Sequence, residues 1–179
     1  MKVTTVDIEG LLIIEPDVFI DNRGYFFESF NAKHYHLPYA ESFVQDNESK
    51  SDKGVLRGMH FQTGDHAQGK LVRVIKGSVY DVAVDLRPHS TTYGKWFGIE
   101  LTADNKKQFW VPRGFAHGYL VLEDDTIFSY KCDNFYHKPA ENGIRFDDHT
   151  LRIKWPDTGS SFLISDKDLA LGSLADLGI

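Results

Sequence analysis

Turn signals recur about every ten residues along this chain, and that spacing leaves room for little except short strands. Turn-forming clusters stand at 21–24, 51–54, 63–65, 76–78, 87–90 and 103–105. Between them the apolar pattern has period two. Tyr80, Val82, Val84 and Leu86 alternate with Val79, Asp81, Ala83, Asp85 and Arg87, and Phe97, Ile99 and Leu101 alternate with Trp96, Gly98 and Glu100. Residues 118–122 and 126–131 are two more expected strands, separated by the turn-like Glu123-Asp124-Asp125. Helical spacing is confined to 31–35, with Asn31 as cap, and to 169–177. No repeat, linker or low-complexity segment interrupts the pattern. The expectation is one domain spanning 1–179, mainly β, folded as an antiparallel sandwich or barrel whose mouth can hold a small ligand.

At 179 residues the chain can bury roughly 70% of its unfolded surface, so it needs no disulfide or metal staple. Cys132 is its only cysteine, which excludes an internal disulfide and fits a reducing cytoplasm. The first residues carry no apolar signal core, and the run from Leu11 to Ile14 is far too short to span a membrane. Asn47-Glu48-Ser49 matches a glycosylation sequon, which carries little weight without a secretion signal. A formal net charge of −6 argues against binding a nucleic-acid polymer, because no basic stripe is available to displace counterions. A nucleotide-sized anion needs only two or three local cations.

The stretch Gly54-Val55-Leu56-Arg57-Gly58-Met59-His60-Phe61-Gln62 offers such chemistry. A regular strand would turn Arg57 and His60 to opposite faces, and Gly58 allows the bend that would bring them together. Arg57 then supplies planar charge for phosphate or carbonyl oxygens, and His60 a base of the type that works near neutral pH. Further on, Pro112-Arg113-Gly114-Phe115-Ala116-His117 has the P-x-G-x-x-H spacing of the second motif of cupin barrels. The fold expected from this resemblance is a cupin-like jelly-roll barrel of antiparallel strands with a few short helices. Lys70 stands where metal cupins usually carry a metal-binding glutamate, and an ammonium there repels a divalent cation. His60 and His66 are also too widely spaced for the H-x-H of metal cupins. The barrel is therefore expected to work without a metal or other cofactor. On the residues alone, His117 reads equally as a packed core histidine or as a supporting site residue.

An ordered set of motifs carries a more specific resemblance. It comprises Asp21-Asn22-Arg23-Gly24-Tyr25-Phe26-Phe27-Glu28, Gln45-Asp46-Asn47-Glu48-Ser49, the 54–62 stretch, Gln68-Gly69-Lys70-Leu71-Val72-Arg73-Val74, 112–119, Tyr130-Lys131-Cys132 with Tyr136, and Ser165-Asp166-Lys167-Asp168. In these the chain resembles the dTDP-4-dehydrorhamnose 3,5-epimerase family over nearly its whole length. Met59 and Phe61 stand where the family often has Leu and Tyr, a difference of packing. The resemblance implies an isomerase acting on a dTDP-4-keto-6-deoxyhexose at C3 and C5, within dTDP-rhamnose biosynthesis. Protons on C3 and C5 flank the C4 ketone, so removing either gives an enolate.

By the family pattern His60 is the base and Asp168 its orienting carboxylate, with Asp166 as local rival. Lys70 would face the enolate oxygen, a fixed cation worth on the order of 3 kcal/mol in a closed site. Tyr130 is the matching acid and Tyr136 the second choice. A phenol is a weak donor and needs a neighbouring cation, for which Lys70 and Lys131 are the candidates. Arg57 and Arg23 are the expected pyrophosphate or carbonyl contacts. Phe26, Glu28, Gln45 and Asn47 match positions lining the nucleotide and sugar site, with His117 and Tyr136 beside them. Of Phe26 and Phe27, alternation assigns one to the core and the other to function. The resemblance also implies a homodimer whose N-terminal strands complete the partner's site. A single-centre epimerase, a ketoisomerase, a metal-dependent cupin using His60, His66 and His117, and a non-catalytic sugar-binding barrel are the alternatives.

Overall fold

The computed structural model describes residues 1–38 and 42–178. Among these the strands are β1 (Lys2–Thr5), β2 (Leu12–Glu15), β3 (Phe19–Asp21), β4 (Gly24–Phe26), β5 (Gln45–Ser51), β6 (Leu56–Gln62), β7 (Lys70–Lys76), β8 (Ser78–Asp85), β9 (Trp96–Thr102), β10 (Gln108–Val111), β11 (Phe115–Val121), β12 (Thr126–Cys132) and β13 (Glu141–Gly143). A six-stranded sheet runs β1-β2-β10-β7-β12-β5 and a five-stranded sheet β13-β6-β11-β8-β9, while β3 and β4 form a separate hairpin. Every pairing between named strands is antiparallel.

The two sheets face each other across a core that includes Val72, Val74, Phe109, Val111 and Phe128 from one, and Val79, Ala83, Leu101, Phe115 and Val121 from the other. This is the antiparallel two-sheet barrel expected of the turn spacing, in the jelly-roll form that the cupin resemblance implied. The outer faces are covered as well. Val82, Val84 and Leu86 pack under Ile144, Leu151 and Leu174, and Leu12, Ile14, Leu71 and Trp110 pack under Tyr35, Phe30, Leu37 and Phe43. The alternation along β8 thus records two buried faces, with the face that carries Asp81 and Asp85 turned into the barrel.

The helical expectations shrink. Residues 31–35 form one turn, in which the Asn31 carbonyl accepts from the Tyr35 N–H at 3.0 Å and Asn31 Oδ1 accepts from the Lys33 N–H. Leu37 precedes Pro38, which biases it away from helical dihedrals and ends the turn. The 169–177 stretch splits between the end of α1 (Asp166–Leu169) and a 3₁₀ turn, Leu174–Leu177. Gly172 gives its carbonyl to the Arg145 N–H, and Ser173 starts a fresh cap with Asp176.

The connection after β8 is held by one carboxylate. Asp85 Oδ1 accepts from the Arg87 N–H at 3.0 Å and its Nε at 2.9 Å, and Oδ2 accepts from Arg87, Ser90 and Thr92 at 2.7, 2.6 and 2.7 Å. Burial alone would raise its pKa, but these donors hold it down at about 2. The folded value lies below the unfolded one, so this stabilisation is complete above the unfolded value and is lost as pH falls from about 4 towards about 2. Asp85→Asn should lower the unfolding free energy at neutral pH by roughly 2 kcal/mol and flatten the acid limb of stability against pH. Denaturant titrations from neutral pH down to pH 2 read both, and an unchanged acid limb would assign that limb to other carboxylates.

Candidate active site

The site begins where β6 and β11 cross too closely for side chains. A Cβ on Gly58 would lie 2.5 Å from the Gly118 Cα and 2.9 Å from the His117 carbonyl oxygen. Gly58 has φ +125°, a conformation that L side chains rarely adopt. The β6–β11 register shifts between His117 and Tyr119. This irregularity is the bend that Gly58 permits, and with it both Arg57 and His60 line one cavity.

His60 Nε2 lies 2.7 Å from Asp168 Oδ1, and the Gly58 N–H donates to Asp168 Oδ2 at 3.2 Å. Asp168 is 4% exposed; Asp166, its rival in sequence, is exposed and is absent from the lining of either lobe. A carboxylate accepts, so Nε2 carries the hydrogen and Nδ1 keeps a free lone pair. Burial would raise the Asp168 pKa, but the His60 hydrogen bond and charge and the Gly58 N–H outweigh it and hold the carboxyl below its ordinary value. Ser165 caps α1 by accepting from the Asp168 N–H at 3.1 Å, which fixes the start of the turn.

The cavity has two lobes, about 300 Å³ and about 240 Å³, and His60, Lys70 and Tyr130 border both. Loss of hydration pushes Lys70 below its ordinary pKa, against the opposing pull of Cys132, Asp81 and Glu141. Tyr130 is pushed up to about 12 chiefly by burial, with Arg57 and Asn47 pulling the other way. The cation acting on Tyr130 is therefore Arg57. Lys131 is excluded from that role: it alternates to the outer face of β12 and pairs with Asp46 at 3.0 Å.

In the first lobe Arg57 donates to Ser51 Oγ through Nε at 3.2 Å and through its terminal nitrogen at 3.0 Å. Tyr119 shares a 2.8 Å hydrogen bond with Ser49. His117 is buried and meets both oxygens of Asp81, at 2.9 and 3.0 Å. It is a packed histidine and a cavity wall at once. In the second lobe Gln45 Nε2 donates to Asn47 Oδ1 at 3.1 Å, and Asn47 Nδ2 donates to Cys132 Sγ at 3.7 Å. Tyr136 donates its hydroxyl to Glu141 at 2.8 Å, and Lys167 meets the other Glu141 oxygen at 2.6 Å.

Arg23, Phe26 and Glu28 do not reach this cavity within the chain. Arg23 is exposed and pairs with Asp21. Phe26, 70% exposed, and Glu28 line a separate cleft with Phe19 and His34. Phe27 lies half-buried beneath the Arg73 guanidinium, so it is the packed member of the pair. His66 stacks on His137 with ring centroids 3.8 Å apart.

Asp81, Glu141 and Lys167 escaped the reading of single motifs. Asp81 did carry a signal, as a carboxylate inside an otherwise apolar strand. Glu141 and Lys167 look like ordinary surface charges until β13 and α1 are brought side by side.

The family model described as dTDP-4-dehydrorhamnose 3,5-epimerase matches residues 5–176. The dTDP-4-dehydrorhamnose 3,5-epimerase of Escherichia coli (strain K12) is 52% identical over 99% of this chain and 96% of its own length. The crystal structure of the Elizabethkingia anophelis enzyme of that name superposes with a TM-score of 0.93 at 50% identity, covering 98% of this chain and 97% of the other. The Legionella pneumophila dTDP-6-deoxy-D-glucose-3,5-epimerase, solved in complex with dTDP-4-keto-L-rhamnose, gives a TM-score of 0.93 at 48% identity, covering 97% and 93%.

Gly58→Ala tests the crossing on which this geometry stands. It should lower the unfolding free energy by roughly 2–4 kcal/mol, through a strained dihedral and a backbone clash. It should also remove the Asp168–His60 hydrogen bond, read as loss of the protected imidazole N–H proton resonance. An unchanged denaturation midpoint with that resonance intact would mean that β11 yields freely.

Proposed function

The chain belongs to the dTDP-4-dehydrorhamnose 3,5-epimerase family, and from that membership we propose how its own residues perform the epimerisation. It is an isomerase that converts dTDP-4-keto-6-deoxy-D-glucose to dTDP-4-keto-L-rhamnose by inverting C3 and C5. The observation that carries the residue assignment is the 2.7 Å His60–Asp168 bond at the edge of a cavity shared with Lys70 and Tyr130.

His60 Nδ1 takes the proton from C3 or C5, and the electron pair moves onto the C4 oxygen to form the enolate. Asp168 keeps the imidazole in the tautomer that presents Nδ1 and stabilises the imidazolium that results. Lys70 faces the enolate oxygen as a fixed cation already stripped of much of its water. Tyr130 returns a proton to the opposite face of the carbon, which inverts it, and solvent restores both groups. A Tyr130 hydroxyl held at about 12 stays protonated at every working pH, so the acid is always loaded. Tyr136 is a poorer candidate because its hydroxyl is committed to Glu141. Arg57, whose one side-chain partner among the described residues is the neutral Ser51, is free to take phosphate oxygens. Gln45, Asn47, His117 and the half-exposed ring of Tyr136 line the way to them.

The β3–β4 hairpin exposes Phe19, Ile20, Tyr25 and Phe26 at 66%, 81%, 58% and 70%. We place this apolar hairpin on a second copy of the chain, where Arg23, Phe26 and Glu28 complete the neighbouring cavity, giving a homodimer of one-domain protomers. A cytoplasmic location accords with the buried free thiol of Cys132. No helix among the described residues is long and apolar enough to cross a membrane.

Turnover in D₂O should place solvent deuterium at both C3 and C5. Product without label at either carbon would sink the enolate route, and label at one carbon only would make this a single-centre epimerase. His60→Asn should slow exchange at both carbons by about 10²-fold or more, since one base serves both. Tyr130→Phe should slow inversion more than washout of label; equal rates for both would move the acid role elsewhere. Sedimentation should find a dimer, and a fully active monomer would remove the shared-site reading.

A further inference from the structure

Two residues beyond His60 on the same strand, Gln62 is 7% exposed; it borders the second lobe but takes no part in the proton transfers above. All three of its side-chain hydrogen bonds among the described residues go to the backbone of other segments. Its Nε2 donates to the His66 carbonyl at 2.6 Å and to the Phe135 carbonyl at 3.2 Å. Its Oε1 accepts from the His137 N–H at 2.7 Å. The Phe135 carbonyl and the His137 N–H belong to the peptide groups on either side of Tyr136. A third bond closes the frame: the Tyr136 N–H donates to Gln45 Oε1 at 2.8 Å. Two glutamine amides therefore grip both peptides that set the Tyr136 backbone, one from β6 and one from β5.

Other bonds tie this loop down elsewhere. Asn134 Nδ2 donates to the Asp65 and Ala67 carbonyls at 2.9 and 3.3 Å, and Gln68 Nε2 donates to the Asn134 carbonyl at 2.8 Å. Those bonds anchor the loop ahead of Tyr136 and leave the orientation of Tyr136 itself to the glutamines. Apolar packing does not fix it, since the Tyr136 side chain is 50% exposed and its hydroxyl, among the described residues, is held by Glu141. An exposed aromatic ring on a loop otherwise samples several rotamers, and freezing it on binding would cost affinity.

We propose that Gln62 is a positioning residue for substrate binding: it couples the strand bearing His60 to the loop bearing Tyr136, so that the ring is already set at the cavity mouth before the nucleotide end of the substrate arrives. This rests on the nucleotide-sugar reading above. The effect belongs to binding, because the nucleotide end takes no part in the proton transfers; two of the three bonds bear on the peptides flanking Tyr136, and the third holds the His66 carbonyl.

Gln62→Met keeps the length and volume of the side chain and removes all three bonds. It should raise KM for the dTDP-4-keto sugar, and the Kd for dTDP by calorimetry, by about tenfold, with kcat changed far less. In a Tyr136→Ala background the same substitution should change KM by less than about twofold, because the ring it positions is gone. A merely structural role would lower kcat and KM effects together and would add fully to Tyr136→Ala; either result overturns the proposal. Amide exchange on the unmodified protein without substrate tests it independently of folding of the variant. The Tyr136 and His137 N–H groups should be protected, and exchange of both at the rate of an open chain would overturn it. That arm separates this proposal from the nucleotide-sugar reading, which would fall instead if the unmodified enzyme gave no turnover.

Discussion

The carboxylate of Asp168 joins two parts of the chain more than a hundred residues apart, and the site depends on that join. It accepts from the His60 ring and from the Gly58 peptide, separated from it by 108 and 110 positions. The second bond needs the Gly58 N–H to point out of the ladder, which the glycine dihedral and the shifted β6–β11 register provide. The first needs the C-terminal segment to lie along β6. Leu163 exchanges backbone bonds with Gly54 and Leu56, and the Arg145 N–H holds the Gly172 carbonyl at 2.8 Å. Asp148, buried, accepts the Leu174 N–H at 2.8 Å. Residues with no view of the cavity thus decide where its orienting carboxylate stands.

Inside the barrel the polar groups are arranged in pairs. His60 and His117 are cross-strand partners, and each has its own buried carboxylate, Asp168 and Asp81. A buried charge without a partner would be strongly destabilising, so the pairing is a condition for having charge there at all. Elsewhere the interior is closed by Phe109, Val111, Phe115 and Val121. The polar residues gather where β5 and β6 border the cavity, and His60 opens onto that cavity.

Much of this was legible in the residues. The period-two runs and their turns mark the antiparallel strands, Gly58 marks the bend, and the 165–168 motif marks the acidic partner of His60. What stayed hidden to the residues taken without the family resemblance was three-dimensional. Alternation along β8 cannot tell a solvent face from a barrel interior, because the C-terminal segment that covers Val82, Val84 and Leu86 arrives some sixty residues later by long-range contact. The choice of Asp168 over Asp166 depends on the phase of one helical turn set by the Ser165 cap. Lys70 and Lys131 were the cations expected beside Tyr130, but strand alternation sends Lys131 to the outer face and the cation that acts on the phenol is Arg57. Arg23, Phe26 and Glu28 lie away from the cavity of their own chain, which no motif within one chain can reveal.

The charge of the site has an origin that the overall composition conceals. The chain carries −6, yet the proposed substrate is itself anionic, so long-range attraction works against binding and local cations must prevail. They do so because the buried and half-buried carboxylates of the site are already engaged, leaving the exposed Glu48 as the carboxylate of the first lobe that pairs with no cation among the described residues. Asp168 is committed to His60, Asp81 to His117, and Glu141 to Lys167 and Tyr136. Arg57 meets only a neutral hydroxyl, and no carboxylate among the described residues forms an ion pair with Lys70. The positive character at the reacting centre thus comes from neutralising acids rather than from accumulating bases. Burial completes the arrangement: with Lys70 partly stripped of water, the proposed action of its charge on the C4 oxygen would be at short range and little screened.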